Sequence, residues 1–155
     1  MSTITIKGKQ KIEMELKRLK EVERPSIIKA IEEAIAHGDL SENAEYTSAK
    51  ERQSFIEGRI AELSSKMASF QVVDTSTIKS DKVVFGATVT LINVDTNDNV
   101  KYQLVGEDES DASNGSVSIM SPIARAIVGK KEGDVVTVRS PKGETEYEII
   151  KVEYV

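Results

Sequence analysis

The stretch AEYTSAKERQSFIEGRIAELSSKMASF, residues 44–70, decides the fold. Within it Ile56, Ile60, Leu63, Met67 and Phe70 recur at steps of four, three, four and three. That spacing is a heptad seam, the pattern by which one helix packs along another. Its partner lies upstream. Between Lys9 and His37, Ile12, Leu16 and Leu19 step by four and three, and Ile28, Ile31 and Ile35 by three and four. Pro25 interrupts this run; it lacks an N–H and its ring strikes the carbonyl one turn back, so it should kink the helix or start a new segment. Between the two runs stands Gly38-Asp39-Leu40-Ser41, with Gly38 suited to a left-handed helix cap. Helices of similar length joined by so short a turn pack antiparallel. At about 1.5 Å per residue, each arm of nearly thirty residues reaches roughly 40–45 Å. A long two-helix coiled-coil hairpin over residues 1–74 is expected, a poor way to build a core and a good way to reach into something.

Downstream the period changes. Residues 74–81, DTSTIKSD, are polar and break the heptad, so a linker is expected over residues 75–82. Beyond it Ala87, Val89 and Leu91 alternate with Thr88, Thr90 and Ile92, and Val100, Tyr102 and Leu104 with Lys101 and Gln103. A turn at residues 95–99 joins these two strands. Val117 and Ile119 suggest another strand. Ser121-Pro122 supplies an N-cap and first-turn proline for a short helix ending near Gly129. Val135–Arg139 and Thr145–Val152 form a last hairpin around Ser140-Pro141-Lys142-Gly143. The fold class is therefore α+β: the hairpin, then a small domain over residues 83–155 with a mainly antiparallel sheet.

Composition removes several function classes. The chain has 155 residues, 30% charged and 39% hydrophobic, a globular profile. No apolar run approaches the roughly 20 residues of a membrane helix, and the first residues lack the apolar stretch of a secretion signal. Without cysteine there is neither a disulfide nor a thiolate zinc site. A cytoplasmic protein is expected. Residues 1–73 hold twelve acidic and twelve basic side chains, whereas 74–155 hold fourteen and nine, which accounts for the net charge of −5. An acidic chain binds nucleic acid poorly by itself, so any such contact is local or arranged by a partner.

Polar chemistry concentrates at the hairpin tip, residues 37–46. Asp39 with Glu42 three residues later reads first as an acidic capping box near the positive end of the second helix. Ligand counting gives a second reading. Two carboxylates are hard donors suited to Mg²⁺, which is commonly held by one or two acids plus water and phosphate. On an exposed tip they complete a metal site begun by another macromolecule, where a second metal can orient water for phosphodiester hydrolysis.

The tip run Gly38-Asp39-Leu40-x-Glu42-Asn43-Ala44-Glu45-Tyr46 resembles the signature of the GreA/GreB transcript cleavage factors. Further blocks match in order: Arg24-Pro25-x-Ile27-Ile28, Phe85-Gly86-Ala87-Thr88-Val89, Ser121-Pro122-Ile123-Ala124-Arg125 and Ile150-Lys151-Val152-Glu153-Tyr154. The resemblance implies a monomeric cofactor of bacterial RNA polymerase, not an enzyme. Its hairpin enters the secondary channel, and its tip acids, matching Asp39 and Glu42, help the polymerase hold a catalytic Mg²⁺ that the isolated factor does not bind. The polymerase then cuts backtracked RNA near its 3′ end. The second domain is implied to be FKBP-like and to dock on a coiled coil at the channel rim, with Ser121, Pro122 and Ile123 in the contact.

Other tip residues carry paired readings. Tyr46 either stacks on the RNA 3′ base or packs across the hairpin. Ser41 and Asn43 either orient water and phosphate or cap a helix. His37, the sole histidine, reads as a solvated cap. Lys50 and Arg52 are candidates to guide RNA phosphates, against a default of solvated surface. The family's basic patch usually includes an arginine where this chain has Ile35, a departure that favours the GreA type. Rival functions are a non-catalytic channel-binding paralogue, a freestanding nuclease and a prolyl isomerase; the last needs an aromatic-lined pocket, and the domain offers only Phe85, Tyr102, Tyr147 and Tyr154.

Overall fold

The computed structural model describes residues 2–40 and 42–155. Contacts divide the chain into two units, Gln10–Phe70 and a second made of the residues up to Lys9 together with Gln71–Val155.

The helical unit contains most of α1 (Ile6–Arg18), a π-helical turn (Leu19–Glu23), α2 (Arg24–Ala36) and α3 (Ala44–Ser69). The 26 residues of α3 span about 40 Å. Cross-helix hydrogen bonds show the antiparallel pairing: their sequence separation shrinks from 44 at Glu15–Arg59, through 33 at Arg24–Glu57, to 9 at Ala34–Asn43. Ile56, Ile60 and Leu63 are buried along α3 as the heptad requires, joined by Ala49, while Met67 and Phe70 are half-buried. On the first arm Ile12 and Leu19 are buried.

Past Leu19 the expected stripe is displaced. Ile28 and Ile35 are 42% and 50% exposed, whereas Ile31 turns inward as expected, together with Ile27, Ala30 and Ala34. The cause is the π turn before Pro25, where Arg24 N–H donates to the Leu19 carbonyl, five residues back. A π turn holds one residue more than an α turn, so the stripe of Ile12, Leu16 and Leu19 continues at residues 27, 31 and 34 where an unbroken α-helix would place it at 26, 30 and 33. Pro25, at the first turn of α2, needs no N–H partner there.

In the second unit β1 (Thr3–Thr5) pairs in parallel with β2 (Gln71–Val73). Glu109 accepts hydrogen bonds from the Thr5 N–H at 2.8 Å, from the Gly106 N–H at 3.2 Å and from the Thr5 hydroxyl. The amino-terminal segment therefore belongs to the sheet-bearing unit. By contacts the division falls at Lys9/Gln10 and Phe70/Gln71.

The main sheet is built from β3 (Thr88–Asn93), β4 (Asn99–Val105), β5 (Ser116–Ser118), β6 (Val135–Ser140) and β7 (Gly143–Glu153), in the order β5-β4-β3-β7-β6. All neighbours are antiparallel except β4 and β5. Alternation puts Ala87, Val89, Leu91, Leu104 and Ile149 into one core with Ala124 and Ile127 of α4 (Pro122–Ile127). Ser121 caps α4 by accepting from the Ala124 N–H at 3.3 Å. Gly129, at φ +81°, lies just beyond the end of that helix.

Candidate functional site

Helix α2 ends where the hairpin must turn. His37 is its C-cap, donating its N–H to the Ala34 carbonyl at 3.2 Å, and the Gly38 N–H follows to the Ile35 carbonyl at 3.2 Å. Gly38 then takes φ +107°, a backbone conformation costly for any residue with a Cβ. No atom would crowd a Cβ there, so the demand for glycine is one of backbone conformation alone. Asp39, Leu40 and Glu42 follow as exposed residues. Ser41 lies outside the described residues, so its expected part in RNA contact has no structural counterpart here.

The acidic capping box is corrected by the structure. The N-cap of α3 is Asn43, whose Oδ1 accepts from the Tyr46 N–H at 3.1 Å. Asp39 and Glu42 come four residues and one residue before it. Spacing alone could not tell which of several polar residues ahead of the helix would cap it, and Asn43 takes the position with extended φ and ψ that a cap needs.

Asp39 and Glu42 line one shallow cavity of about 410 Å³, with His37, Asn43, Ala44 and Glu45. His37 Nδ1 lies 3.1 Å from Glu45 Oε2 across the turn, both side chains well exposed. This pair is not legible in the sequence, since a separation of eight residues across a turn leaves no periodic signal. Among the described residues no group of three or more potential ligands could hold a metal ion. Asp39 and Glu42 offer two hard carboxylate donors, of the chemical type that suits Mg²⁺.

The remaining expected residues stand apart from that cavity. Tyr46 is half-buried in the first turn of α3. Lys50 donates to Gln53 Oε1 at 3.0 Å. Arg52 sits 5.1 Å from the centre of the exposed Phe55 ring and 3.9 Å from Glu23. Ser121, Pro122 and Ile123 lie in the other unit, at the start of α4.

Residues 2–72 match the family model described as transcription elongation factor, N-terminal, and residues 78–154 match that of transcription elongation factor, GreA/GreB, C-term. Transcription elongation factor GreA of Alkalilimnicola ehrlichii is 56% identical over 152 residues, covering 97% of this chain and 96% of the relative. The protein of the same name from Phenylobacterium zucineum is 58% identical over 152 residues, covering 98% and 97%. Among solved structures, the prokaryotic transcription elongation factor GreA/GreB from Nitrosomonas europaea aligns over 99% of this chain and 100% of its own at 21% identity, with a TM-score of 0.44. The chain belongs to the GreA/GreB family of transcription elongation factors.

Proposed function

We propose that this chain stimulates transcript cleavage by bacterial RNA polymerase, entering the secondary channel with the α2–α3 tip. The observation that carries the proposal is the pair Asp39 and Glu42, exposed beside one cavity in the turn between two long helices. Two carboxylates are too few to build a hydrolytic metal site, but enough to finish one that the polymerase begins. When bound there, a shared Mg²⁺ supplies charge stabilisation and an oriented water for hydrolysis of the RNA phosphodiester. Asp39 and Glu42 hold their side of that ion, and Tyr46, Lys50 and Arg52 attend the extruded RNA. Ile35, half exposed on α2, leaves that basic patch one cation short of the family's usual set. In the same reading the sheet-bearing unit is FKBP-like and docks on the polymerase at the channel rim through Ser121, Pro122 and Ile123. The chain acts there as a monomer, and the nuclease chemistry remains the polymerase's own.

A stalled, backtracked elongation complex with end-labelled RNA and Mg²⁺ tests the proposal. The expected result is a shortened RNA that resumes elongation from its new 3′ end, while naked RNA with the factor alone stays intact. Cutting of naked RNA, or inhibition of the polymerase with no shortened RNA, would contradict it.

A further inference from the structure

The Asn43 side chain does more than cap α3. Its Oδ1 accepts from the Tyr46 N–H at 3.1 Å, while its Nδ2 donates to the Ala34 carbonyl of α2 at 2.7 Å. Only one orientation of the carboxamide satisfies both, since one partner is a donor and the other an acceptor. Ala34 is 1% exposed, so water has little access to its carbonyl, which accepts from both the His37 N–H and Asn43. Asn43 thus ties the last turn of α2 to the first turn of α3. The chain between these ties carries both tip acids.

We infer that Asn43 is a positioning residue for Asp39 and Glu42, a clasp that fixes the ends of the segment bearing them. Serine, threonine and aspartate are all good N-caps, but an ionised aspartate has no proton to donate and a hydroxyl stem is too short to bridge two helices. Asparagine joins a cap acceptor to an amide donor on the same short side chain. The exposed His37–Glu45 pair spans the same turn, but solvent-facing pairs hold geometry weakly. A ligand pair serving a shared ion must be held to a fraction of an ångström. With both ends of its carboxamide engaged, Asn43 acts through the loop and not on the RNA.

The kinetic consequence rests on the cleavage reading, so two measurements separate the claims. In the isolated protein, the clasp predicts that the Asn43 carboxamide protons exchange with water more slowly than those of exposed asparagines such as Asn97. Exchange at the exposed rate would overturn the clasp, whatever the polymerase does. In backtracked complexes, Asn43→Ser keeps a cap and removes the bridge. The expected result is a Mg²⁺ requirement raised about tenfold, with the half-saturating factor concentration nearly unchanged. A parental Mg²⁺ requirement for Asn43→Ser, whether or not the cleavage rate falls, would overturn the positioning role. Cleavage that also ignores Asp39→Asn and Glu42→Gln would instead sink the cleavage reading and leave the clasp to the exchange result.

Discussion

Gly38 and Asn43 decide, residue by residue, where the two acids stand. Gly38 ends α2 because it alone tolerates φ +107° without cost, so Gly38→Ala should lower stability by about 1–2 kcal/mol in a thermal or denaturant titration. With open space around its Cβ, that loss reflects backbone strain rather than a clash. Gly38 was legible in the sequence because a left-handed cap follows from residue type. The capping role of Asn43 was visible only as an option. Its bridge to Ala34 was not, because a carbonyl nine residues back comes within reach only after the chain turns. The spacing of Asp39 and Glu42 suggested the capping that Asn43 performs.

Among the elements, α3 was read well and the first arm only in part. An uninterrupted α-helix keeps its heptad in step with its buried stripe, so Ile56, Ile60 and Leu63 lie where the spacing requires. The π turn at Leu19–Glu23 adds a residue that no composition signal announces, so the Ile12–Leu19 stripe continues through Ile27, Ile31 and Ala34 and leaves Ile28 and Ile35 outside. Pro25 marked the place without revealing the size of the slip. Two substitutions check the register. Ile56→Ala, at a site 1% exposed, should destabilise by roughly 2–5 kcal/mol, whereas Ile35→Ala should stay within about 0.5 kcal/mol. Equal losses in urea titrations of the two variants would show the stripe misassigned. The bidentate pair Arg24–Glu57, with both contacts at 2.8 Å, links α2 to α3. The Arg24 hydrogen bonds outweigh desolvation and hold the Glu57 carboxyl below its ordinary value. A depressed carboxylate contributes stability that is present above its unfolded pKa and is lost as pH falls through the folded one. Unfolding midpoints across the acid range should therefore fall less steeply for Glu57→Gln than for the parent. The difference should be small and shrink with added salt, because both partners face solvent.

At the scale of the whole molecule, the change of period from 3.5 to 2 along the sequence marks two kinds of structure. The pairing of β1 with β2, three residues each, spans 68 residues of sequence and leaves no local trace, so the place of the first residues beside the sheet-bearing unit was not legible. The chain carries a net charge of −5, neutral up to residue 73 and acidic beyond it, so affinity for RNA cannot come from its overall field. In the proposed function the molecule contributes the two carboxylates Asp39 and Glu42. The most direct measurement is the rate of 3′-fragment release from a backtracked polymerase complex, with the parent and the Asp39→Asn/Glu42→Gln variant compared at matched occupancy. The variant should bind as the parent does and release fragments roughly 100-fold more slowly or worse. Release at the parental rate, with the variant bound, would contradict the assignment of the acids to the shared metal site.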